Sequence, residues 1–419
     1  MLIKRLLTLG LGAALLVTAA CAPQIAATRP QQAVVSTPIE SLPVNVGFQR
    51  SSAQQLPTAV PQEVIDAADA EYLLLANIYD RIAPSVVNID ITVETPHPGI
   101  GDESSGSGII YDERGYIITN SHVVQNAQEV RVTFNDGYVA EAEVVGLDVY
   151  SDIAVVRVDV DAARLLPVVF GDSDLVRVGE RAIAIGNPFG LASSMTVGIV
   201  SGLGRQLPSA ELVGTTGGGF QNPSIIQVDA DINPGNSGGP LLNSRGELIG
   251  VNTAIRTSSG VFEGVGFAVP SRTVQRVVPE LIDRGSVNYS WIGISSQSAE
   301  NGYGVSGLAE VLSLPVAAGV LIESVTPDSP AAKAELQGGT RPVLVRGREI
   351  CAGGDIIVAV NDRYIRTMDE LVAYLVMNTA PGDVVNLLVV RGEETFEVPV
   401  VLEARPTDGS AVSTNICGQ

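Results

Sequence analysis

The segment with the clearest chemistry is Gly235–Pro240, which reads GNSGGP. A nucleophilic serine must be presented from a tight loop, with backbone N–H groups facing the oxygen that becomes negative. Glycines beside the serine permit that turn and the close approach of a substrate carbonyl. The segment therefore predicts Ser237 as a nucleophile, with an oxyanion hole formed by the N–H groups of Gly235 and Ser237.

A serine nucleophile needs a base, and the chain has two histidines, His97 and His122. His122 lies where a predicted strand turns into a short helix. An imidazole with an ordinary pKa of about 6.5 can take and return a proton near neutrality. His97 lies between two prolines, in a loop with no strand to fix it, and we interpret it as an exposed loop residue. His122 is therefore the predicted base.

The third group must be a carboxylate that orients the imidazole. Asp152 directly precedes a run of apolar residues that begins at Ile153, where a carboxylate gains nothing unless it is paired. The rival is Asp148, which we interpret as a solvated residue of the connecting turn. With Asp152, the order is histidine, aspartate, serine, as in chymotrypsin-type double barrels and unlike the subtilisin or α/β-hydrolase orders.

Short strands must position these residues. Ile153–Val158 and Arg181–Ile185 are predicted to be strands buried on both faces. Together with alternating apolar residues and 44 glycines, they indicate β-barrels or a sandwich over residues 66–284. Apolar residues at helical spacing predict one helix ahead of them, over Asp66–Ile82. A second block spans 288–404. In it Thr367 and Glu370 fit a capping box before a helix, and a terminal hairpin follows.

Together these motifs make the chain similar to the HtrA/Deg family of serine proteases over residues 66–404. The matching segments are Thr119–Val123, Ser151–Val155, Gly186–Gly190, Gly235–Pro240 and Gly264–Pro270. The resemblance implies a mainly β fold, with a chymotrypsin-like double β-barrel followed by a PDZ domain, a small, partly open α+β barrel. It also implies ATP independence, no cofactor, action on misfolded or unfolded envelope proteins, and a homotrimer packed through the segment ahead of the first barrel.

The resemblance also places a substrate pocket near Asp231 and Gly266. Asp231 stands six residues before the predicted nucleophile, where HtrA proteins usually carry a small or apolar residue. Trypsin carries at this relative position the carboxylate that selects Arg and Lys. Two interpretations stay open: an altered preference at this subsite, or an Asp231 side chain that turns away or pairs elsewhere. An aliphatic P1 residue is the expectation.

In the second block, Trp291, Ile292, Gly293 and Ile294 match the family's carboxylate-binding loop. This loop would hold the C-terminus of a peptide that adds as a strand to the sheet edge, with the helix from Met368 as the other wall. The alternative is that Trp291 only packs between domains. In the family, the loop corresponding to Gly204–Phe220 senses occupancy of the PDZ domain or of the substrate site and completes the active site. The glycines at 217–219 would let this loop order or disorder at modest cost.

The ends of the chain indicate export. Lys4 and Arg5 precede an apolar run too short to span a bilayer, so residues 1–20 are predicted to be a signal peptide. Small residues before Cys21 resemble a lipoprotein signal, with a chance cysteine or an uncleaved anchor as alternatives. Residues 21–65 are predicted to be a lipidated tether, and 405–419 a C-terminal tail. Cys351 and Cys417 could form a disulfide or remain two free thiols.

Composition excludes other functions. A formal net charge of −21 disfavours binding to nucleic acid, and two histidines cannot build a multi-histidine metal site. The predicted protein is a serine endopeptidase of the cell envelope with PDZ-regulated activity, whose partners are misfolded polypeptides, C-terminal peptides and the membrane. The alternatives are a PDZ-bearing chaperone or scaffold, or a dedicated signalling protease with low resting proteolysis.

Overall fold

The computed structural model describes residues 61–93, 102–187, 193–208, 221–233, 235–253, 264–297, 299, 302–406 and 417. Some of the predictions made from the sequence lie outside these ranges. They concern the signal peptide, Cys21 and most of the tether, His97, and the glycines at 217–219. No helix of the described part is long and apolar enough to cross a membrane.

The described part of the chain contains six α-helices: α1 Gln62–Ile82, α2 Ser121–Val124, α3 Ser271–Arg284, α4 Val305–Leu312, α5 Pro330–Lys333 and α6 Met368–Asn378. Helix α1 begins four residues before the predicted start at Asp66, because the carbonyl of Pro61 accepts a hydrogen bond from Val64 N and opens the helix there. It ends at Ile82, two residues before Pro84.

Six strands close into a first barrel: β1 Val86–Val93, β2 Asp102–Ile110, β3 Tyr116–Thr119, β4 Ala127–Thr133, β5 Val139–Asp148 and β6 Ile153–Val158. Around the barrel their order is β1-β2-β3-β6-β5-β4. Helix α2 connects β3 to β4, so His122 lies at one end of β3. Asp152 lies between β5 and β6, and β6 pairs with β3. The pairing therefore brings the two predicted site residues to the same end of the barrel.

Six more strands close into a second barrel: β7 Arg181–Gly186, β8 Ser194–Pro208, β9 Gln221–Val228, β10 Pro240–Leu242, β11 Leu248–Thr253 and β12 Gly266–Pro270. Their order is β10-β11-β12-β9-β8-β7. Ser237 lies in the loop that enters β10. The two closed barrels confirm the predicted chymotrypsin-like architecture.

One apolar core joins the barrels to two helices. Ile78 and Ile82 of α1, with Val277 and Leu281 of α3, pack in a single buried cluster with strand residues from both barrels, among them Ile109, Ile153, Ile183 and Ile185. Helix α3 ends at Arg284 and is capped by Gly285, whose φ of 75° is left-handed, a conformation that residues with a Cβ resist. This cluster therefore joins the two barrels, and each barrel also has an apolar cluster of its own.

Eleven strands of the described chain follow α3: β13 Ser290–Trp291, β14 Ile294–Ser295, β15 Val320–Leu321, β16 Ser324–Val325, β17 Arg341–Val345, β18 Arg348–Ala352, β19 Ile356–Val360, β20 Arg363–Tyr364, β21 Val384–Arg391, β22 Glu394–Val401 and β23 Glu403–Ala404. The main sheet has the order β15-β19-β21-β22, with β20 on β19, while β13 pairs with β23, β14 with β16 and β17 with β18. This is the α+β domain expected after the barrels.

The predicted cap of α6 is present in modified form. Thr367 Oγ1 accepts from Glu370 N at 3.2 Å, as in a capping box. The Glu370 carboxylate, however, accepts from Arg366 N at 2.9 Å, one residue before the cap, because the Arg366 guanidinium also pairs with it. The hairpin of β17 and β18 packs with α4 in one apolar cluster, which also includes Leu321, Ile356 and Val390 of the main sheet.

Candidate active site

Asp152 lies fully buried in the turn between β5 and β6, and its φ of 57° is left-handed. Aspartate adopts this conformation more readily than most non-glycine residues. The Asp152 carbonyl accepts hydrogen bonds from Ser121 N at 3.3 Å and from Asn120 Nδ2 at 2.9 Å. These two bonds hold the turn against the start of α2, which carries His122.

The Asp152 carboxylate accepts hydrogen bonds from three residues. His122 contributes two, from its backbone N at 3.1 Å and from Nδ1 at 2.9 Å. Ser121 Oγ donates at 2.9 Å, and Thr253 Oγ1 donates from the second barrel at 2.7 Å. Such donors offset the loss of hydration that burial imposes on a carboxylate. They also fix the plane of the carboxylate opposite His122.

The imidazole of His122 is oriented by this contact. With Nδ1 donating to Asp152, the neutral ring carries its lone pair on Nε2. Burial by itself lowers the pKa of His122, but the charge of Asp152 and its hydrogen bond more than offset this, so the pKa lies above the ordinary value of 6.5. The arrangement suits a base that accepts a proton on Nε2 and is stabilised as an imidazolium.

The loop around Ser237 is shaped by glycines. Gly235 and Gly238 have φ values of 96° and 85°, which residues with a Cβ rarely adopt. A Cβ on Gly238 would also lie 2.1 Å from the carbonyl oxygen of Ser107 and 2.4 Å from Thr119 Oγ1. The loop therefore needs glycine at 238 for both its backbone conformation and its close contact with the first barrel.

Ser107 of β2 ties this loop to the first barrel. Its backbone N donates to the carbonyl of Ser237 at 2.7 Å, and its Oγ donates to the carbonyl of Gly235 at 2.6 Å. The Ser107 hydroxyl in turn accepts from Asn187 N at 2.8 Å. An ideal Cβ on the neighbouring Gly106 would lie within 3.2 Å of both Val123 and the Ser237 carbonyl. The loop of Ser237 thus lies beside α2 and His122.

The predicted pocket residues lie near each other in the second barrel. The carbonyl of Asp231 accepts from Thr196 Oγ1 at 3.0 Å and from Asn236 Nδ2 at 3.3 Å, which links it to the residue before Ser237. The side chain of Asp231 belongs to an exposed residue. Gly266 is buried, and a Cβ there would meet Ile232 at 2.6 Å. Glycine at 266 therefore allows β12 to approach the segment of Asp231.

The loop from Trp291 to Ile294 has the geometry of a tight turn between two short strands. Gly293 has a φ of 84°, and a Cβ on it would overlap Ser329 at 2.2 Å. The loop is held by Ala331 N, which donates to the carbonyl of Ile292 at 2.8 Å, while Ile292 itself is buried. In the described chain β14 pairs along one side only, with β16. Its other edge suits an added strand.

Solved structures share this fold. The chain superposes on the HtrA-type protease AlgW with tripeptide with a TM-score of 0.63 at 32% sequence identity, covering 79% of this chain and 97% of that one. The chain belongs to the HtrA family of serine proteases. Family models for a trypsin-like peptidase domain and a PDZ domain match residues 106–251 and 290–402.

Curated HtrA relatives are longer than this chain. Protease Do-like 1 of Arabidopsis thaliana, a chloroplastic protein, is 41% identical over 310 residues, which cover 73% of this chain and 65% of the relative. A probable periplasmic serine endoprotease of Chlamydia trachomatis, named DegP-like, is 39% identical over 316 residues, which cover 75% and 57%. The chain therefore spans about three fifths of the length of these HtrA relatives.

Sequence reasoning missed three polar residues of this HtrA site. Ser121, Thr253 and Ser107 donate to the Asp152 carboxylate or to the loop of Ser237. Ser121 is the residue directly before His122, so its closeness to the site could have been inferred from the sequence. Thr253 and Ser107 lie on other strands, and only the closed barrels bring them to the site.

The interpretation of Asp148 as a solvated turn residue is wrong. Asp148 is the last residue of β5 and is 5% exposed. Its carboxylate accepts from Ser151 N at 3.0 Å and from the hydroxyl of Tyr289, a residue that lies just ahead of the PDZ domain of this HtrA chain. Asp152 and not Asp148 contacts His122, since Asp148 points to this other set of donors.

The two cysteines of the PDZ region and tail are joined. Cys351 of β18 and Cys417 form a disulfide with Cα atoms 5.3 Å apart. Of the two alternatives that the sequence left open, the structure thus has the bond that ties the tail of this HtrA chain to its last domain.

Proposed function

We propose that this protein is a serine endopeptidase of the cell envelope, in which Ser237, His122 and Asp152 form the catalytic triad. The observation that carries the proposal is the contact of His122 Nδ1 with Oδ2 of the buried Asp152, 2.9 Å apart, beside a glycine-shaped loop that presents Ser237. A buried carboxylate on Nδ1 and a serine loop on the same side are what acyl transfer by a serine requires.

The mechanism follows from this geometry. Ser237 Oγ attacks the scissile carbonyl while His122 Nε2 accepts its proton, and Asp152 stabilises the resulting imidazolium. The N–H groups of Gly235 and Ser237 bind the oxyanion, and each such donor contributes about 2.7–4 kcal/mol to transition-state stabilisation. His122 then returns the proton to the leaving amine. Water, activated in the same way, hydrolyses the acyl-enzyme.

Covalent labelling of the full chain with a fluorophosphonate tests this activity. We expect labelling of the wild type and none of Ser237→Ala. We expect Asp152→Asn to be labelled about ten-thousand-fold more slowly, because replacing the triad aspartate by asparagine in chymotrypsin-type proteases lowers kcat by about that factor. Labelling of Ser237→Ala at the wild-type rate would contradict the proposed nucleophile, because the probe would then react elsewhere.

The proposed substrates are misfolded or unfolded envelope proteins, cleaved without ATP. The name of the Chlamydia relative supports a periplasmic or equivalent extracytoplasmic location. The export signal predicted for residues 1–20 agrees with that location. Proteomic capture by Ser237→Ala tests the substrate class: we expect many partly unfolded envelope proteins, whereas a single membrane protein would indicate a signalling protease.

We further propose that the PDZ domain binds peptide C-termini and regulates the protease. The loop from Trp291 to Ile294 would hold the terminal carboxylate, and the peptide would add to the edge of β14. Support comes from the pairing of β14 with β16 alone within the described chain, and from the similarity to AlgW, whose structure was solved with tripeptide. Peptides with free and amidated C-termini test this: the amidated peptide should neither bind nor change the labelling rate.

For the P1 subsite we propose an aliphatic preference. The family resemblance supports this preference, and the exposure of Asp231 is compatible with a side chain that faces solvent. A peptide library with all P1 residues tests this, with Asp231→Ala as the comparison. Strong cleavage after Arg that is lost in Asp231→Ala would overturn the aliphatic proposal.

A homotrimer anchored through lipid on Cys21 completes the proposal. Helix α1 exposes Val64, Tyr72 and Leu73, with exposed fractions of 56%, 69% and 63%. Apolar residues this exposed on one helix support an interface between copies. Light scattering of the chain from residue 22 onward tests the trimer, and radiolabelled lipid incorporation that is lost in Cys21→Ala tests the anchor.

A further inference from the structure

The two ends of the C-terminal domain meet at the turn that carries Asp152. Tyr289 immediately precedes β13, and Arg405 immediately follows β23, the strand that pairs with β13. Arg405 N donates to the carbonyl of Tyr289 at 2.9 Å. The Arg405 guanidinium lies 5.4 Å from the ring centre of Tyr150, two residues before Asp152. The turn is therefore in contact with both ends of the domain.

Asp148 is the hydrogen-bonding centre of this junction. The Tyr289 hydroxyl donates to Asp148 Oδ2 at 2.5 Å. The carboxylate also accepts from Ser151 N at 3.0 Å and from Tyr150 N at 3.3 Å. Burial raises the pKa of Asp148, and burial also raises the pKa of Tyr289 well above 10.0, so the phenol stays protonated and donates. Asp148 thus joins the turn to the C-terminal domain.

Packing supports the same junction. The ring of Tyr289 meets the ring of Tyr150 edge to face, with centroids 5.9 Å apart and planes at 88°. Tyr289 and Val376 of α6 are both 4% exposed and belong to one apolar cluster. Others of this cluster are Val287, Val372 and Met377. The helix proposed to line the peptide groove therefore packs on the residue that holds Asp148.

We propose that Tyr289 and Asp148 are a positioning pair, through which the C-terminal domain holds the turn that places Asp152 opposite His122. The inference rests on the proposed peptidase activity, and it adds a role for the C-terminal domain in supporting the triad. Both residues are buried, so the role assigned to them is positioning and not contact with substrate. Tyr289 acts on Asp148, and Asp148 acts on the turn.

The backbone of Asp152 explains why the turn needs such support. Its φ of 57° is a conformation that a non-glycine residue keeps only when its surroundings determine it. On one side, Asn120 and Ser121 bind the Asp152 carbonyl. On the other side, the Asp148 carboxylate accepts hydrogen bonds from Tyr150 N and Ser151 N. Without the Tyr289 hydroxyl, Asp148 keeps its hydrogen bonds to Ser151 N and Tyr150 N but loses its hydrogen bond to the C-terminal domain. The carboxylate then no longer transmits the position of that domain to the turn.

Tyr289→Phe in the full chain tests the pair, because it removes only the hydroxyl. We expect the rate constant for fluorophosphonate labelling of Ser237 to fall on the order of tenfold, with the final extent of labelling unchanged. With fluorescein-labelled unfolded casein, we expect a lower kcat and an unchanged KM. Tyr364→Phe is the matched control, since Tyr364 is 79% exposed in the same domain, and it should keep the wild-type rate.

A double-mutant cycle separates positioning from a general loss of stability. Asp148→Asn should slow labelling at least as much as Tyr289→Phe, and the double variant should be no slower than Asp148→Asn alone, because Tyr289 acts through Asp148. A double variant whose labelling rate falls by the product of the two single losses would overturn the pair. A lower final extent of labelling at the wild-type rate constant would also overturn it, since that result indicates fewer folded molecules.

A spectroscopic readout distinguishes failure of the pair from failure of the proposed activity. The proton between His122 Nδ1 and Asp152 should give a low-field NMR signal, assigned by its loss in His122→Gln. We expect Tyr289→Phe to shift or broaden this signal, and Tyr364→Phe to leave it unchanged. An unchanged signal in Tyr289→Phe would overturn the pair even if the wild type cleaved nothing. Absence of labelling in the wild type would contradict the proposed activity alone.

Discussion

Thr253 Oγ1 donates to Asp152 Oδ2 at 2.7 Å, although the two residues are 101 positions apart in the chain. Thr253 ends β11 of the second barrel, and Asp152 precedes β6 of the first. The bond therefore links the barrels at the buried end of the site. The orientation of the carboxylate depends on how the two barrels fit together, and not on the turn of Asp152 alone.

Thr253→Val removes this hydroxyl at nearly constant shape. A lost hydrogen bond to a buried charge costs about 1.5–3 kcal/mol, so we expect the free energy of unfolding to fall by that amount. We also expect kcat/KM to fall about tenfold, as about 1.4 kcal/mol less transition-state stabilisation would produce. Urea denaturation and casein cleavage measure the two effects. Thr253→Ser should keep both near wild type, and equal losses in the two variants would contradict a role for the hydroxyl.

Ser121→Ala removes another donor to Asp152, at 2.9 Å from Oδ1. A carboxylate with fewer donors attracts the proton of His122 more strongly, so the pKa of His122 should rise. The acidic limb of the pH profile of kcat/KM should therefore move to higher pH. Ser201→Ala, at an exposed serine of the second barrel, is the control. A limb that stays in place in Ser121→Ala would show that this hydroxyl does not tune the pair.

The raised pKa of His122 also predicts how stability depends on pH. Because the folded state binds the proton more tightly than the unfolded state, the stabilisation is complete below 6.5 and is lost as pH rises through the folded pKa. Catalysis needs the neutral imidazole of His122, so kcat/KM should rise with pH over the interval in which this stabilisation is lost. Urea denaturation across this range measures the trend, and His122→Gln should remove this component. If the free energy of unfolding rose with pH in the wild type but not in His122→Gln, the predicted direction of the His122 contribution would be wrong.

Gly238 and Gly137 form a matched pair of glycines. Their φ values are 85° and 81°, but a Cβ on Gly238 would meet Ser107 O at 2.1 Å, whereas one on Gly137 would meet nothing within 4 Å. We expect Gly137→Ala to lower the free energy of unfolding by about 1–2 kcal/mol, the cost of the left-handed conformation. Gly238→Ala should cost more and abolish labelling of Ser237. Similar losses in both variants would mean that the contact with Ser107 is unimportant.

The disulfide between Cys351 and Cys417 closes a loop with a sequence separation of 66. The chain-entropy model assigns about 4 kcal/mol to a loop of this length. We expect Cys351→Ser with Cys417→Ser to lower the free energy of unfolding of the C-terminal domain by about 2–4 kcal/mol. Denaturation with and without dithiothreitol measures this. The reductant should destabilise the wild type and leave the double variant unchanged.

Local patterns predicted the barrels well. The strand from Ile153 and the strand from Arg181 were expected to be buried on both faces, and the structure buries nearly all of their residues. The helix before the first barrel and the cap at Thr367 were also expected. These features depend on neighbouring residues, because apolar spacing and capping act over a few positions.

The sequence by itself determined the residue types and their order: a serine in a glycine-shaped loop, one well-placed histidine, and an aspartate at the head of a buried strand. Only the tertiary structure decided which distant groups complete the site. The bond from Thr253, the contact of Ser107 with the loop of Ser237, and the buried link of Asp148 to Tyr289 join segments far apart in the chain. Such contacts are set by barrel closure and domain packing, whose geometry no local pattern encodes.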